Sequence, residues 1–161
     1  MKVAIFCGSI SDKSTMQIAE KVLNKFNINN KTYVISAHRL PDILSNTIKK
    51  IESTKGMELI IAGAGLSAHL PGVISSKTIL PVIGVPIHSN NGLLGGLDAL
   101  FSMVQMPKDV PIATVGINNA YNAALLAIHI LAIKYNEIKK LLLKFRMERR
   151  EKLVTEIDKY L

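Results

Sequence analysis

Five short apolar runs alternate with stretches of helical periodicity along this chain, and that alternation restricts the fold more than any other feature. Val3 to Cys7, Lys31 to Ser36, Met57 to Ala62, Pro81 to Val85 and Pro111 to Gly116 read as strands. The last three are continuous in apolar residues rather than alternating, as strands buried on both faces should be. Ser14 to Phe26 places Met16, Ala19, Val22, Leu23 and Phe26 on one helical face. Pro41 to Lys55 reads as a second helix, with Pro41 suited to its first turn and Gly56 to its end. Further helical stretches separate the later strands. Strand–helix alternation with right-handed crossovers gives an α/β fold, a three-layer αβα sandwich around a parallel sheet of about five strands.

After the fifth run the pattern changes. Asn119 to Ile133 reads as an alanine-rich apolar helix, and Glu137 to Leu161 as a second helix with Ile138, Leu141, Leu142, Phe145, Leu153 and Ile157 set among charges. A helix of ~25 residues spans nearly 40 Å, longer than a domain of this size needs to cover its own sheet, so it is expected to reach a neighbour. The 161 residues fit a single domain, residues 1–161, without a linker or repeat. No apolar run reaches the ~18 residues of a membrane span, and Met1 to Phe6 runs straight into a strand rather than a cleavable leader. A soluble, cytoplasmic protein with no membrane partner is expected.

The formal charge of +8 raises the possibility of a nucleic-acid partner, but its placement argues otherwise. Residues 56 to 133 carry only Lys77 and Lys108 against Glu58, Asp98 and Asp109. Such a segment cannot present an ordinary solvated surface, and part of its cover is expected from other copies of the chain, which predicts an oligomer. The basic excess sits mostly on helices, at Lys21, Lys25, Lys49, Lys50, Lys139, Lys140, Lys144, Arg146, Arg149 and Arg150, without interleaved aromatics. That is a solvated helix face, and no nucleic-acid partner is expected.

Chemistry concentrates at strand ends. In an open parallel sheet a ligand sits outside the carboxyl ends of the strands, and three of them here carry polar loops: Gly8-Ser9-Ile10-Ser11-Asp12, Ser36-Ala37-His38-Arg39 and Gly63-Ala64-Gly65-Leu66-Ser67-Ala68-His69-Leu70-Pro71-Gly72. The first is neither a Walker A sequence nor a dinucleotide fingerprint. Its hydroxyls, Ser9 and Ser11, and the N–H groups of the following helix can hold a phosphate. Asp12 would repel a phosphate and is placed on sugar hydroxyls; Ser or Asp acting simply as a helix N-cap is the competing reading. The third loop matches the Gly-x-Gly-x-x-Ala variant of the dinucleotide fingerprint. Its place at the third strand, Pro71-Gly72 within the next helix and Pro86-Ile87-His88 where a ribose-binding acid should stand all oppose nicotinamide binding. His38 and His69 follow strand ends, where an imidazole titrating near neutrality can both deliver and remove a proton. His129 is read as a packing residue and His88 stays unassigned. Cys7, the single cysteine, reads as a buried small hydrophobe, and the spacing of the histidines predicts no metal.

These residues resemble a known family. Gly8-Ser9-x-Ser11-Asp12, Ser36-Ala37-His38-Arg39-x-Pro41-Asp42, Ala62-Gly63-Ala64-Gly65-x-x-Ala68-His69-Leu70-Pro71-Gly72, Pro81-Val82-x-Gly84-Val85-Pro86, Gln105-Met106-Pro107 and Asn122 to Ala127 are similar, in order and over nearly the whole chain, to the N5-carboxyaminoimidazole ribonucleotide mutases of purine biosynthesis. Arg39 after His38 resembles the bacterial mutase branch rather than the animal-type carboxylases, which tend to carry Lys there. The resemblance implies a flavodoxin-like fold, a homo-octamer with C-terminal helices packing on neighbours, and no ATP, metal or organic cofactor. It implies an isomerase that moves a carboxylate from the exocyclic nitrogen to a ring carbon of an aminoimidazole ribonucleotide. By the same resemblance Ser9, Ser11 and Asp12 lie on the ribose phosphate side, Ser36, Ala37 and Arg39 line the substrate, and His38 is the proton shuttle. Ala64 and Gly65 let backbone approach the migrating carboxylate, with Ala68, His69 and Leu70 walling in carbon dioxide. Two stretches depart from the family: Leu66-Ser67, where smaller residues are common, and a longer, glycine-rich Ser89 to Leu97, which the resemblance makes a lid of the site. The rival readings are a flavodoxin-like flavin-binding module and a non-catalytic nucleotide-binding oligomer.

Overall fold

The computed structural model describes residues 1 to 160. Its chain divides into two compact units, Met1–Ala127 and Ile128–Leu161. The first holds a five-stranded sheet of β1 (Lys2–Cys7), β2 (Asn29–Val34), β3 (Met57–Gly65), β4 (Val82–Ile87) and β5 (Ala113–Thr114), in the order β2-β1-β3-β4-β5 with every pair parallel. This is the flavodoxin-like order, and helices cover both faces. Because successive strand residues point to opposite faces, Ala4, Phe6, Ile60, Ala62, Ala64 and Val82 join one core with α2 (Pro41–Glu52), α3 (Leu70–Ser75) and α4 (Leu97–Val104). On the other face α1 (Lys13–Lys25) buries Met16, Ala19, Val22 and Leu23, the stripe expected from the sequence. Met16 presses so close to the bare backbone of Gly63 that a β-carbon there would collide with it.

The strand boundaries differ from the sequence reading for physical reasons. β2 starts at Asn29 rather than Lys31, because pairing of Lys2 with Asn29 recruits two asparagines of low strand propensity. It is an edge strand with a half-exposed pattern. β3 runs on through Gly63-Ala64-Gly65, which read as loop, because Ala64 pairs with Pro86 and Gly65 with Ile87. β5 is far shorter than Pro111 to Gly116 and is not buried on both faces. Gly84 faces β5, accepting the Val115 N–H, and so by alternation does Pro86, which has no N–H to give; the pairing there continues only through the Asn118 N–H to Pro86 O, at 2.8 Å.

α5 (Ala120–Lys134) carries the unit boundary within it, and its part in the first unit buries Ala120, Ala123, Ala124 and Ala127 completely. His129 is exposed, which corrects its reading as a packing residue. α6 (Asn136–Ile157) ends four residues before the expected limit at Leu161, a residue outside those described. Ile138 and Leu142 are buried, whereas Leu141, Leu143, Met147, Leu153, Val154 and Ile157 remain exposed. No helix among the described residues is long and apolar enough to cross a membrane.

Candidate active site

Parallel pairing brings the carboxyl ends of β1, β2, β3 and β4 to one edge of the sheet, and the loops leaving them enclose a cavity of about 580 Å³. The first wall is Gly8 to Asp12. Here the chain leaves β1 into a single turn of 3₁₀ helix, Ile10–Asp12, that feeds α1. Asp12 is buried and its carboxylate accepts the Ser9 N–H at 3.0 Å, while the Ser9 and Ser11 hydroxyls stand 2.6 Å apart. Asp12 therefore fixes the loop through one carboxylate oxygen while also lining the cavity. Cys7, just ahead, is fully buried and its thiol donates to Tyr33 O at 3.8 Å. Burial first, then the Asp12 charge, pushes the thiol up to about 11, so it stays a protonated apolar filler.

Ser36, Ala37, His38 and Arg39 form the second wall, a turn closed by the Leu40 N–H on Ser36 O at 3.0 Å and by the Arg39 N–H on Ser36 Oγ at 3.3 Å. Ala64, Gly65, Leu66, Ser67, His69 and Leu70 supply the third. The two walls meet through their imidazoles: His38 Nε2 lies 2.9 Å from His69 Nδ1, with the rings edge to face at 85°. At that distance one ring nitrogen donates and the other accepts, so the pair shares a proton and each ring fixes the tautomer of the other.

Every residue picked from the sequence as lining the site faces this cavity except Ala68, which packs in the core beside Ala64 and Leu70 and is not among the lining residues. The sequence marked Leu66-Ser67 and the Ser89 to Leu97 lid as departures bearing on the site but did not name Leu66, Ser67, Ser89 or Asn91 as walls, which all four are. The signal for Ser89 and Asn91 was available: both follow β4, whose carboxyl end joins the same edge. His88 lies outside the lining, its N–H held by Asn118 Oδ1 at 2.9 Å. Among the described residues no group of three or more His, Cys, Asp or Glu could hold a metal ion.

Residues 2–152 match the family described as AIR carboxylase. The N5-carboxyaminoimidazole ribonucleotide mutase of Pyrococcus abyssi is 54% identical, over 90% of this chain and 82% of that protein. The mutase of Saccharolobus solfataricus is 50% identical over 96% of each, and that of Escherichia coli (strain K12) is 43% identical over 98% of this chain and 92% of its own length. Among solved structures, PurE of Treponema denticola superposes with a TM-score of 0.90 at 26% identity, covering 98% of this chain and 97% of that one. The matched span takes in all the strand-end loops that build the cavity, and the chain belongs to the AIR carboxylase family.

Proposed function

We propose that this chain is an isomerase of purine biosynthesis that converts N5-carboxyaminoimidazole ribonucleotide into 4-carboxy-5-aminoimidazole ribonucleotide within the cavity at the carboxyl edge of the sheet. The observation that carries the reading is the His38–His69 contact set opposite a hydroxyl-lined loop at a helix start. The reaction needs a proton placed and then removed. The bond between the exocyclic nitrogen and its carboxylate breaks as carbon dioxide leaves, the electron pair stays on nitrogen, and His38 supplies the proton. The ring carbon then attacks carbon dioxide and loses its own proton, which returns to His38. The proton count balances over the cycle, and one imidazole serves both steps. His69 receives or returns the shared proton and holds the ring of His38 in register.

Ser9 and Ser11 hold the ribose phosphate side, Asp12 accepts from sugar hydroxyls, and Arg39 presents a planar fork to an anionic group of the substrate. Ser36 and Ala37 line the ring, and Ala64, Gly65 and Leu70 keep the carboxylate path narrow, so that carbon dioxide recombines before it escapes. The substrate is a small phosphorylated molecule, the chain works as one catalytic domain in the cytoplasm, and copies assemble into a homo-oligomer, for which the exposed Leu97, Phe101 and Val104 of α4 give support. Conversion of the N-carboxylated ribonucleotide without ATP, followed by absorbance of the ring-carboxylated product, tests the reading. Tight binding of substrate that is recovered unchanged would defeat it.

A further inference from the structure

Leu66 is the residue whose conformation the fold does not require. It follows the last paired residue of β3 with φ +55°, in the left-handed region that an L side chain with a β-carbon seldom adopts. Nothing in the ladder demands it there, since pairing ends at Gly65. Backbone strain that survives at a cavity wall points from geometry toward a role. The left-handed turn sends the Leu66 side chain over the cavity, where it is 43% exposed yet lies against the segment after β4. A β-carbon at Gly92 would sit 3.5 Å from Leu66 Cδ2.

That segment is a tight turn held at both of its ends. Its start is pinned by the His88 N–H on Asn118 Oδ1 and it folds on itself through the Gly92 N–H on Ser89 O at 2.8 Å. Its far end is Gly95 and Gly96, with φ +60° and +93°; Gly95 has no atom near its absent side chain, whereas Gly96 packs on Ile117 and His88 and the Leu97 N–H bonds Leu94 O at 3.0 Å, which leaves the stretch around Gly92 as the part that can shift. Ser89 and Asn91 face the cavity while Leu93, 97% exposed, touches almost nothing. Beside Ser89 O and Asp98 Oδ2, which belong to the loop and to α4, Leu66 is the third-wall side chain that Gly92 meets.

We propose that Leu66 is a positioning residue that latches the 89–96 loop across the cavity mouth and so retains carbon dioxide between its release from nitrogen and its capture by the ring carbon. The inference rests on the isomerase reading above. Loss of the latch leaves both half-reactions intact but lets carbon dioxide escape from the protonated aminoimidazole ribonucleotide, so that the enzyme becomes a decarboxylase in part of its turnovers.

The test uses substrate labelled with ¹³C in its N-carboxylate, in unlabelled bicarbonate buffer, with Leu66→Gly and Leu66→Ala beside the parent protein. The parent transfers its label to the ring. Both variants should release decarboxylated ribonucleotide in a fraction of turnovers raised at least about threefold, the factor that one lost methyl contact commands. Amide hydrogen exchange at Gly92 should quicken in both. Leu66→Gly relieves the left-handed strain and should melt no lower than the parent, which separates the latch from simple unfolding. Unchanged label transfer or unchanged exchange at Gly92 in the well-folded Leu66→Gly protein overturns the latch while leaving the isomerase reading intact. A parent protein that converts no substrate defeats the reading and the latch with it.

Discussion

Two imidazoles 2.9 Å apart share one proton between them, and that single distance separates His38 from an ordinary surface histidine. His38→Asn keeps a polar side chain of similar reach but cannot carry the proton, so turnover should fall by ~100 to 10,000-fold with substrate binding largely kept. Steady-state kinetics beside calorimetric binding checks this; turnover within about threefold of the parent removes His38 from the proton-transfer role. Cys7 yields a prediction on stability. Its folded pKa is raised to about 11 from the ordinary 9.0, so the contribution is fully present below pH 9 and is lost as pH rises toward 11, where the unfolded thiol ionises and the buried one does not. Two units correspond to about 3 kcal/mol at most. Denaturation midpoints should therefore decline through that window in the parent and decline less in Cys7→Ala, whose lower overall stability leaves the slope comparison valid.

β3 is the element on which the site is hung. Small residues at its end let β4 and the third loop come close, and Gly65 shows why: a β-carbon there would stand 2.9 Å from the Ile87 carbonyl oxygen, an atom of paired backbone that cannot step aside. Gly65→Ala should cost about 1 to 3 kcal/mol in denaturant unfolding and reduce turnover as well, because the two strand ends bordering the cavity must spread. Equal stability would show that the ends give way freely. The same close approach explains why Gly63-Ala64-Gly65 looked like loop in the sequence. Residues of low strand propensity were recruited by neighbours already in place, as were Asn29 and Asn30 in β2. Pro86 acted in reverse and cut β5 to Ala113–Thr114.

For the whole molecule, the sparse charge of residues 56–133 and the exposed apolar side chains on α4 and on α6 both support the proposed assembly of several copies of the chain. Light scattering at micromolar concentration should give an assembly larger than a dimer, and ending the chain after Lys140 should break it into smaller species. A monodisperse monomer would contradict the covered-surface argument. Two isolated positions mark how far local pattern carries. His129 sits in an apolar run yet is exposed, because in a helix apolar on nearly all sides sequence does not say which side faces out. Ala68 looked like a cavity wall because its neighbours are, yet its side chain turns into the core.

The sequence by itself determined the order of strands and helices, the parallel sheet and three of the loops around the cavity, because periodicity is a local property and a parallel sheet gathers its strand ends at one edge. Tertiary structure alone decided the register that lengthened β3 and shortened β5, the meeting of His38 with His69 across 31 positions of chain and the left-handed turn at Leu66. Each of these depends on which distant backbone lies alongside, and a side chain's direction at such a point is set by its neighbours in space rather than by its neighbours in sequence.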